Sequence, residues 1–271
     1  MLDNANDKTG TSMEQAATVN FSGFSALVVK EVRRFYSVAV QTIFAPVVST
    51  LLYLLVFGQV IDSEIEIYSG LTYSQFLIPG LVMMAILQNA FSNSSSSLIQ
   101  SKMHGNLTFV LLSPISPMEL YSAFVVASII RGLAVGIGIL LVGGIWFDLV
   151  WLQPLWVLVF AILSAAMMGG LGMLAGIVSD KYDHLAAFQN FIIMPLTFLS
   201  GVFYSIHALP EFWQSASHFN PFFYMVDGFR YGFFAQSDVS VYLSLLVTSL
   251  FVVLITAINL ILLNKGVKIR Q

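Results

Sequence analysis

The stretch LQPLWVLVFAILSAAMMGGLGMLAGIV, residues 152–178, contains no charged residue and is long enough to cross a lipid bilayer. A transmembrane helix needs about 20 consecutive, mostly apolar residues. Across the 271-residue chain, 58% of the residues are hydrophobic and 9% are charged, whereas soluble domains carry about 25% charged residues. The composition therefore predicts a polytopic membrane protein.

Further segments share this character, and together they give six predicted spans. None of the six contains Asp, Glu or Lys, and the single Arg among them is Arg131. The second span ends in SNSSSS, whose hydroxyls need a bond to their own helix or a polar partner. The predicted fold class is therefore all-α, with six transmembrane helices. Their predicted bounds are 38–61, 76–98, 120–145, 152–178, 185–203 and 239–263.

The distribution of Lys and Arg predicts the orientation of the chain. Of the eleven basic residues, nine lie before span one, in the loops after spans two and four, or after span six. Basic residues concentrate in cytoplasmic loops, so we expect both termini in the cytoplasm. The first external loop carries instead the acidic residues Asp62, Glu64 and Glu66.

The chain before span one divides into two parts. Residues 1–20 are polar and mixed in charge, which predicts a disordered cytoplasmic tail. Residues 21–36 place apolar side chains on one helical face and Lys30, Arg33 and Arg34 on the other. Such an amphipathic helix lies in the membrane surface with its cations toward lipid head groups. An ordinary flank of span one is the alternative.

The segment between spans five and six is too polar for a span and too aromatic for a solvated loop. Pro210 and the pair Asn220-Pro221 are helix-start signals, which predicts two short external helices within 210–235. We expect them to be re-entrant in the outer leaflet, as a gate or part of the transport pathway. A simple interfacial cap is the alternative. The candidate residues are Phe212, Trp213, Asn220, Pro221, Tyr224 and Arg230.

No motif in the sequence predicts catalysis or cofactor binding by this chain. The patterns GxxxxGK[ST], HExxH and GxSxG are absent, and there is no cysteine. The four histidines have no metal-ligand spacing, so we predict no metal site and no catalytic residue. The small net charge of −3 gives no indication of a nucleic-acid partner.

Two features inside the predicted spans indicate packing or function. Arg131 lies near mid-membrane, where an Arg costs about 2.5–3.5 kcal/mol on insertion scales. It should face the bundle or a wet cavity, in a structural or a transport role. The GxxxG pairs Gly132/Gly136 and Gly172/Gly176 allow close helix packing, within one bundle or in a dimer.

Two stretches resemble one family. GVFYSIHALPEFWQSASHFNPFFYMVDGFRYGFF, residues 201–234, and NLTFVLLSPISPMELYSAFVVASIIRGLAV, residues 106–135, resemble type-2 ABC exporter permeases. The resemblance covers nearly the whole chain after residue 20. It is closest to inner-membrane transport permeases and to drug and polysaccharide export permeases.

The resemblance implies a homodimer of this chain working with two copies of a separate P-loop ATPase, which holds the ATP and Mg. It also implies a coupling helix over about 101–112 that enters a cleft of the ATPase. The segment SKMHGN departs from the family, whose members often carry acidic residues there. A loop folded on its own bundle is the alternative, as is a solvated turn for 179–185. The implied coupling residues are Asn106, Leu107, Phe109, Leu111, Leu112, Asp180 and Lys181.

The resulting prediction is the permease subunit of an ATP-driven exporter in a bacterial inner membrane. Its substrate would be amphipathic or lipid-linked, of the drug, lipid or polysaccharide class. An ATPase-independent secondary transporter or channel, and a membrane scaffold, are the alternatives. The interpretation as a membrane enzyme is weaker, because the sequence offers no plausible set of active-site residues.

Overall fold

The computed structural model describes residues 21–61, 71–146 and 151–266, and in these ranges the regular structure is entirely helical. The predicted tail 1–20 lies outside the described residues. The α-helices are α1 (Phe21–Ser37), α2 (Ala39–Ile61), α3 (Tyr73–Met103), α4 (Asn106–Leu112), α5 (Pro117–Trp146), α6 (Pro154–Val178), α7 (Tyr182–Phe188), α8 (Met194–Phe198), α9 (Glu211–His218), α10 (Pro221–Phe234) and α11 (Val241–Lys265).

Within the described residues, five helices are long and apolar enough to cross a membrane. They coincide with five of the six predicted spans, so the all-α, multi-pass character of the chain is confirmed. The membrane-length segments are Ala39–Phe57, Tyr73–Met103, Pro117–Gly144, Pro154–Val178 and Val241–Lys265.

The remaining predicted span, 185–203, does not form one regular α-helix. A π-helix, Gln189–Ile193, separates α7 from α8, and the helical run ends at Phe198. Pro195 lacks a backbone N–H, so one helical hydrogen bond is missing in this region. The chain then turns at Gly201, whose φ is +77°. The run is shorter and more irregular than the sequence suggests, and the count of six spans stays a prediction.

Helix α3 is the centre of the bundle. Its start is fixed by a capping box, in which the Gln75 amide donates to Thr72 Oγ1 and the Thr72 amide donates to Gln75 Oε1. Its first half, residues 76–87, is apolar on all sides, and a helical segment of this kind is normally buried. It packs against α5 and α6 and buries residues along its whole length.

The glycine pairs of α5 and α6 both face α3. A Cβ at Gly172 would lie 2.3 Å from the carbonyl oxygen of Phe91, and one at Gly136 would lie 2.8 Å from the Ile86 side chain. These glycines therefore let α5 and α6 approach α3 closely within one chain, as small residues do in membrane bundles.

The two ends of α3 carry different structures. Near its C-terminus lie α1, which packs on α5, and α4; we call this the basal end. Near its N-terminus lie α9 and α10, and the Tyr73 hydroxyl donates to the carbonyl of Phe203 there. We call that the cap end.

Candidate coupling surface and buried polar sites

Helix α4 follows α3 after two connecting residues, His104 and Gly105. Gly105 has a φ of +71°, a left-handed conformation that glycine adopts without strain, and it separates α3 from α4. Residues 101–103, included in the predicted coupling helix, continue α3 instead. After α4, the Ser116 amide donates to Glu119 Oε2 and the Glu119 amide donates to Ser116 Oγ, which fixes the start of α5.

The side chains of α4 divide between the bundle and the surface. Leu107 is buried in an apolar cluster with Leu27 and Phe124. Phe109 and Leu112 are 73% and 78% exposed. Asn106 is exposed as well, whereas the Leu111 side chain lies outside the described part of the structure. The helix is therefore anchored by Leu107 and presents two large apolar side chains outward.

A cavity of about 400 Å³ lies beside α4 at the basal end. It is bounded by parts of α1, α3 and α4, and most of the residues that line it are of polar types. The lining residues are Lys30, Arg34, Ser97, Gln100, Ser101, His104, Asn106, Phe109 and Val110.

The connection between α6 and α7 also lies at the basal end. Asp180 and Lys181 are exposed there. Lys102, the penultimate residue of α3, donates to the carbonyl oxygens of Ile177 and Ser179. This links the ends of α3 and α6, so the Asp180–Lys181 turn is tied to the helix that carries α4.

Helix α1 is joined to α3 by a buried carboxylate. Glu31 has a relative exposure of 0%. It accepts hydrogen bonds from Ser97 Oγ at 2.8 Å and from Arg34 Nε at 3.1 Å, and Lys30 Nζ lies 3.2 Å away. With Asn93, these residues form what we call the α1 polar cluster.

Arg34 extends this cluster toward α5. Its Nη2 donates to the backbone carbonyl of Asn93 at 2.8 Å, and Asn93 Nδ2 donates to Ser128 of α5 at 3.3 Å. The hydroxyls of Ser94 and Ser128 lie 2.6 Å apart. The polar SNSSSS end of the second span thus meets α1 and α5. Of the three predicted surface cations, Arg34 turns inward, whereas Lys30 and Arg33 are exposed.

Arg131 lies beyond this cluster, on α5 and toward the middle of the bundle. Its Nη2 donates to Asn89 Oδ1 at 3.4 Å, and its guanidinium carbon lies 5.9 Å from the centre of the Phe35 ring. Its Nε is buried and has no hydrogen-bond partner among the described residues.

At the cap end, Arg230 is 1% exposed. Its Nη2 donates to the Gly201 carbonyl at 2.8 Å, and its guanidinium carbon lies 3.8 Å from the centre of the Phe76 ring. The guanidinium thus joins α10 to α3 and to the turn after α8. Arg230 therefore lies in the interior of the cap end. Its role in a gate stays a prediction.

The other gate candidates fall into two groups. Asn220 is buried and caps α10 by accepting from the Phe222 amide, with Pro221 at the first helical position. Tyr224 is buried and donates to the His218 carbonyl. Phe212 and Trp213 are exposed on α9 instead.

Asp227 is buried on α10 and organises the connection to α11. It accepts hydrogen bonds from the amides of Asp238 and Val239, at 2.7 and 3.3 Å. Burial raises the pKa of Asp227 to about 6, although these amides and the nearby Arg230 charge act to lower it. Asp238 in turn accepts from Ser205 Oγ and the Ile206 amide.

The sequence reasoning missed the buried carboxylates Glu31 and Asp227. A signal was present for Glu31, because it lies four residues after Leu27 and four before Phe35, on the apolar face of α1. No comparable signal marked Asp227, whose partners lie eleven and twelve residues further along the chain.

Comparison with known proteins identifies the family of this chain. Residues 22–234 match the family described as ABC-2 type transporter. The chain belongs to this family. It is a type-2 ABC permease, which confirms the resemblance noted in the sequence.

Named relatives span most of the chain. The inner membrane transport permease YadH of Escherichia coli K12 is 35% identical over 242 residues, covering 89% of this chain and 94% of that protein. Nodulation protein J of Rhizobium leguminosarum bv. trifolii is 23% identical over 194 residues, covering 71% of this chain and 74% of that protein.

Proposed function

We propose that this chain is the transmembrane subunit of an ATP-driven exporter, with ATP hydrolysed by a separate P-loop ATPase. The substrate is amphipathic or lipid-linked, of the drug, lipid or polysaccharide class. Membership of the ABC-2 type transporter family supports the proposal, and the similarity to the inner membrane transport permease YadH supports an inner-membrane location.

The observation that carries the proposal is the outward face of α4. Phe109 and Leu112 are exposed on a short helix at the end of α3. Large apolar side chains grouped at a surface mark an interaction site. A cleft in the ATPase would cover this face, and Asn106, Leu111, Asp180 and Lys181 would complete the contact.

The connection from α4 into the bundle provides the mechanical link. When ATP closes the ATPase dimer, the force reaches α4 and passes through two residues into α3. The α1 polar cluster carries α1 along with α3. The membrane helices then rearrange as packed bodies around the substrate pathway, which is the usual way a small shift is amplified. The external helices α9 and α10 form the outer end of that pathway.

The topology we propose has six spans, with α7, the π-helix and α8 as the fifth. The helical run from 182 to 198 has 17 residues, or about 25 Å at 1.5 Å per residue. This is close to the roughly 30 Å hydrocarbon core. Both termini are then cytoplasmic, and two copies of the chain form the transport pathway with two ATPases.

Co-purification from the native membrane in mild detergent tests the proposal. We expect a P-loop ATPase to accompany the wild type and to be lost with Phe109→Asp, which places a charge on the outward face of α4. The matched control is Phe212→Asp at the cap end, because Phe212 is also 73% exposed. This variant should retain the ATPase.

Two results contradict the proposal. If no ATPase accompanies the wild type, an ATPase-independent transporter or a scaffold becomes the better interpretation. If Phe109→Asp and Phe212→Asp retain the ATPase equally, the partner does not dock on α4.

A further inference from the structure

Arg131 is a cation in the middle of a transmembrane helix. It is the fifteenth residue of the 30-residue helix α5, so it lies roughly 21 Å from the start of that helix. A charged side chain at such a depth normally pairs with another group or lines a site. The identity of that partner is therefore a question about function.

The contacts of the Arg131 guanidinium with the described residues of this chain are weak. The 3.4 Å contact with Asn89 is longer than the usual N–H···O distance of about 2.9–3.0 Å. The 5.9 Å separation from the Phe35 ring is at the limit of about 6 Å for a cation–π contact. Nε has no acceptor among the described residues.

No carboxylate in the described part of the chain forms an ion pair with Arg131. The charged groups of the α1 polar cluster lie one helical turn further along α3, because Arg34 contacts Asn93 whereas Arg131 contacts Asn89. There, Lys30 and Arg34 share the single carboxylate of Glu31. The surroundings of Arg131 therefore carry an excess of positive charge.

We propose that Arg131 and Asn89 bind the negatively charged head group of a lipid-like substrate, through the oxyanion of a phosphate or carboxylate. This rests on the proposed function, since it specifies the charge of the amphiphile that the exporter moves. A guanidinium offers a planar fork of donors that matches such oxyanions. The Nε, which has no acceptor among the described residues, and the Nη2, whose bond to Asn89 is long, provide donors for this contact.

The position of the site favours an amphiphile over a free anion. Transfer of a bare anion to this depth is costly because its hydration is lost. An anion carried on an apolar chain offsets that cost, because the chain remains in the hydrocarbon while the head group reaches Arg131.

Lipid binding by the purified permease tests this inference without any ATPase. The protein is held in neutral detergent and titrated with phosphatidic acid while its thermal midpoint is measured. Phosphatidylcholine with the same acyl chains serves as the zwitterionic lipid, and inorganic phosphate serves as the anion without a chain. The variants are Arg131→Gln and, as a matched loss of charge at an exposed site, Lys265→Gln at the end of α11.

We expect phosphatidic acid to raise the midpoint of the wild type saturably, and the other two compounds to have little effect. Arg131→Gln should weaken the apparent affinity about tenfold or more, as expected from the loss of hydrogen bonds to a charged group. Lys265→Gln should match the wild type.

Three outcomes overturn the inference. They are an unchanged affinity in Arg131→Gln, an equal effect of phosphatidylcholine, which indicates ordinary lipid contact, and an equal effect of inorganic phosphate, which indicates a site for small ions. If Arg131→Gln does not fold, Arg131→Lys replaces it, because a Lys keeps the charge but loses the fork. That variant should bind several-fold more weakly, and binding equal to the wild type then contradicts the proposal.

The failure of this inference is distinct from the failure of the proposed function. Loss of the lipid effect leaves the ATPase co-purification untouched, whereas absence of an ATPase leaves the lipid titration interpretable. A neutral substrate would give the combination of a captured ATPase and no effect of Arg131→Gln.

Discussion

The basal and cap ends of the molecule are both rich in aromatic and apolar residues, yet they use them differently. On α10, the residues from Phe222 to Arg230 are all buried, and Arg230 and Asp227 tie that helix to its neighbours. On α4, Leu107 is buried while Phe109 and Leu112 face outward. Helix α10 completes its packing within the chain, whereas α4 does not.

This difference separates two reasons for an aromatic segment outside the spans. Within the cap end, α10 is a folded core element that limits movement of the segment as a whole. The basal end combines polar attachment of α1 with an uncovered apolar helix. Exposed apolar area of that kind indicates a partner, so the basal end is where we expect the chain to receive force.

The largest difference in stability should appear when one aromatic residue is truncated at each end. Phe223→Ala, in the buried face of α10, should lower the free energy of unfolding by about 3–5 kcal/mol, the usual range for a core Phe. Phe109→Ala should change it by less than about 0.5 kcal/mol, as for a surface substitution. Denaturation in detergent measures both. Equal losses of unfolding free energy in the two variants would contradict the view that α10 is packed within the chain while α4 is not.

A smaller loss should follow removal of the buried cation of the cap end. Arg230→Met leaves the Gly201 carbonyl without its donor and removes the contact with Phe76, which should cost about 3 kcal/mol. The control is Arg33→Met on the exposed face of α1. A thermal midpoint for Arg230→Met equal to that of the control would mean that Arg230 does not fasten the cap end.

The attachment of α1 at the basal end should contribute less. Glu31→Ala removes the acceptor shared by Ser97 and Arg34, and we expect a loss of about 2 kcal/mol. Glu211→Ala, at the exposed start of α9, is the matched control. Protease cleavage within α1 should accelerate in Glu31→Ala, because local opening of that helix becomes easier. An unchanged cleavage rate would indicate that apolar packing alone holds α1.

The last comparison concerns pH at the cap end. The pKa of Asp227 in the folded chain is about 6, above its ordinary value of 3.8. A raised carboxyl pKa favours the folded state at low pH, and this contribution is lost as the pH rises from about 4 through about 6. The slope can reach at most about 1.4 kcal/mol per pH unit.

Thermal midpoints of the wild type and Asp227→Asn between pH 4 and pH 7 measure this contribution. The wild type should lose stability relative to Asp227→Asn as the pH rises, since the variant cannot ionise at this position. Parallel curves for the two proteins would show that Asp227 does not titrate in this range.

Spans such as 152–178 could be predicted because an uncharged apolar run leaves few alternatives for the backbone in a bilayer. The run over 185–203 was less regular than predicted, since the effect of Pro195 and of the π-helix on the hydrogen-bond ladder is local and sequence hydropathy does not register it. The two short helices beyond Pro210 and Asn220 followed recognisable start signals.

The site residues were harder to interpret from sequence. Phe109 and Arg230 each stood out, one as apolar in a loop and the other as charged near the membrane. Their surroundings depend on residues far along the chain, such as Phe76 and Gly201 for Arg230. Spacing within one helix cannot reveal such partners.

The amino-acid sequence is enough to predict a helical membrane protein, because hydropathy and charge are additive properties of consecutive residues. The stretches 106–135 and 201–234 are enough to indicate the family. The packed bundle is needed to see that Glu31 is buried, that Arg131 lacks a counter-ion among the described residues, and that α4 leaves an apolar face uncovered. Each of these depends on which side chains meet across helices, and those contacts form only when the bundle packs.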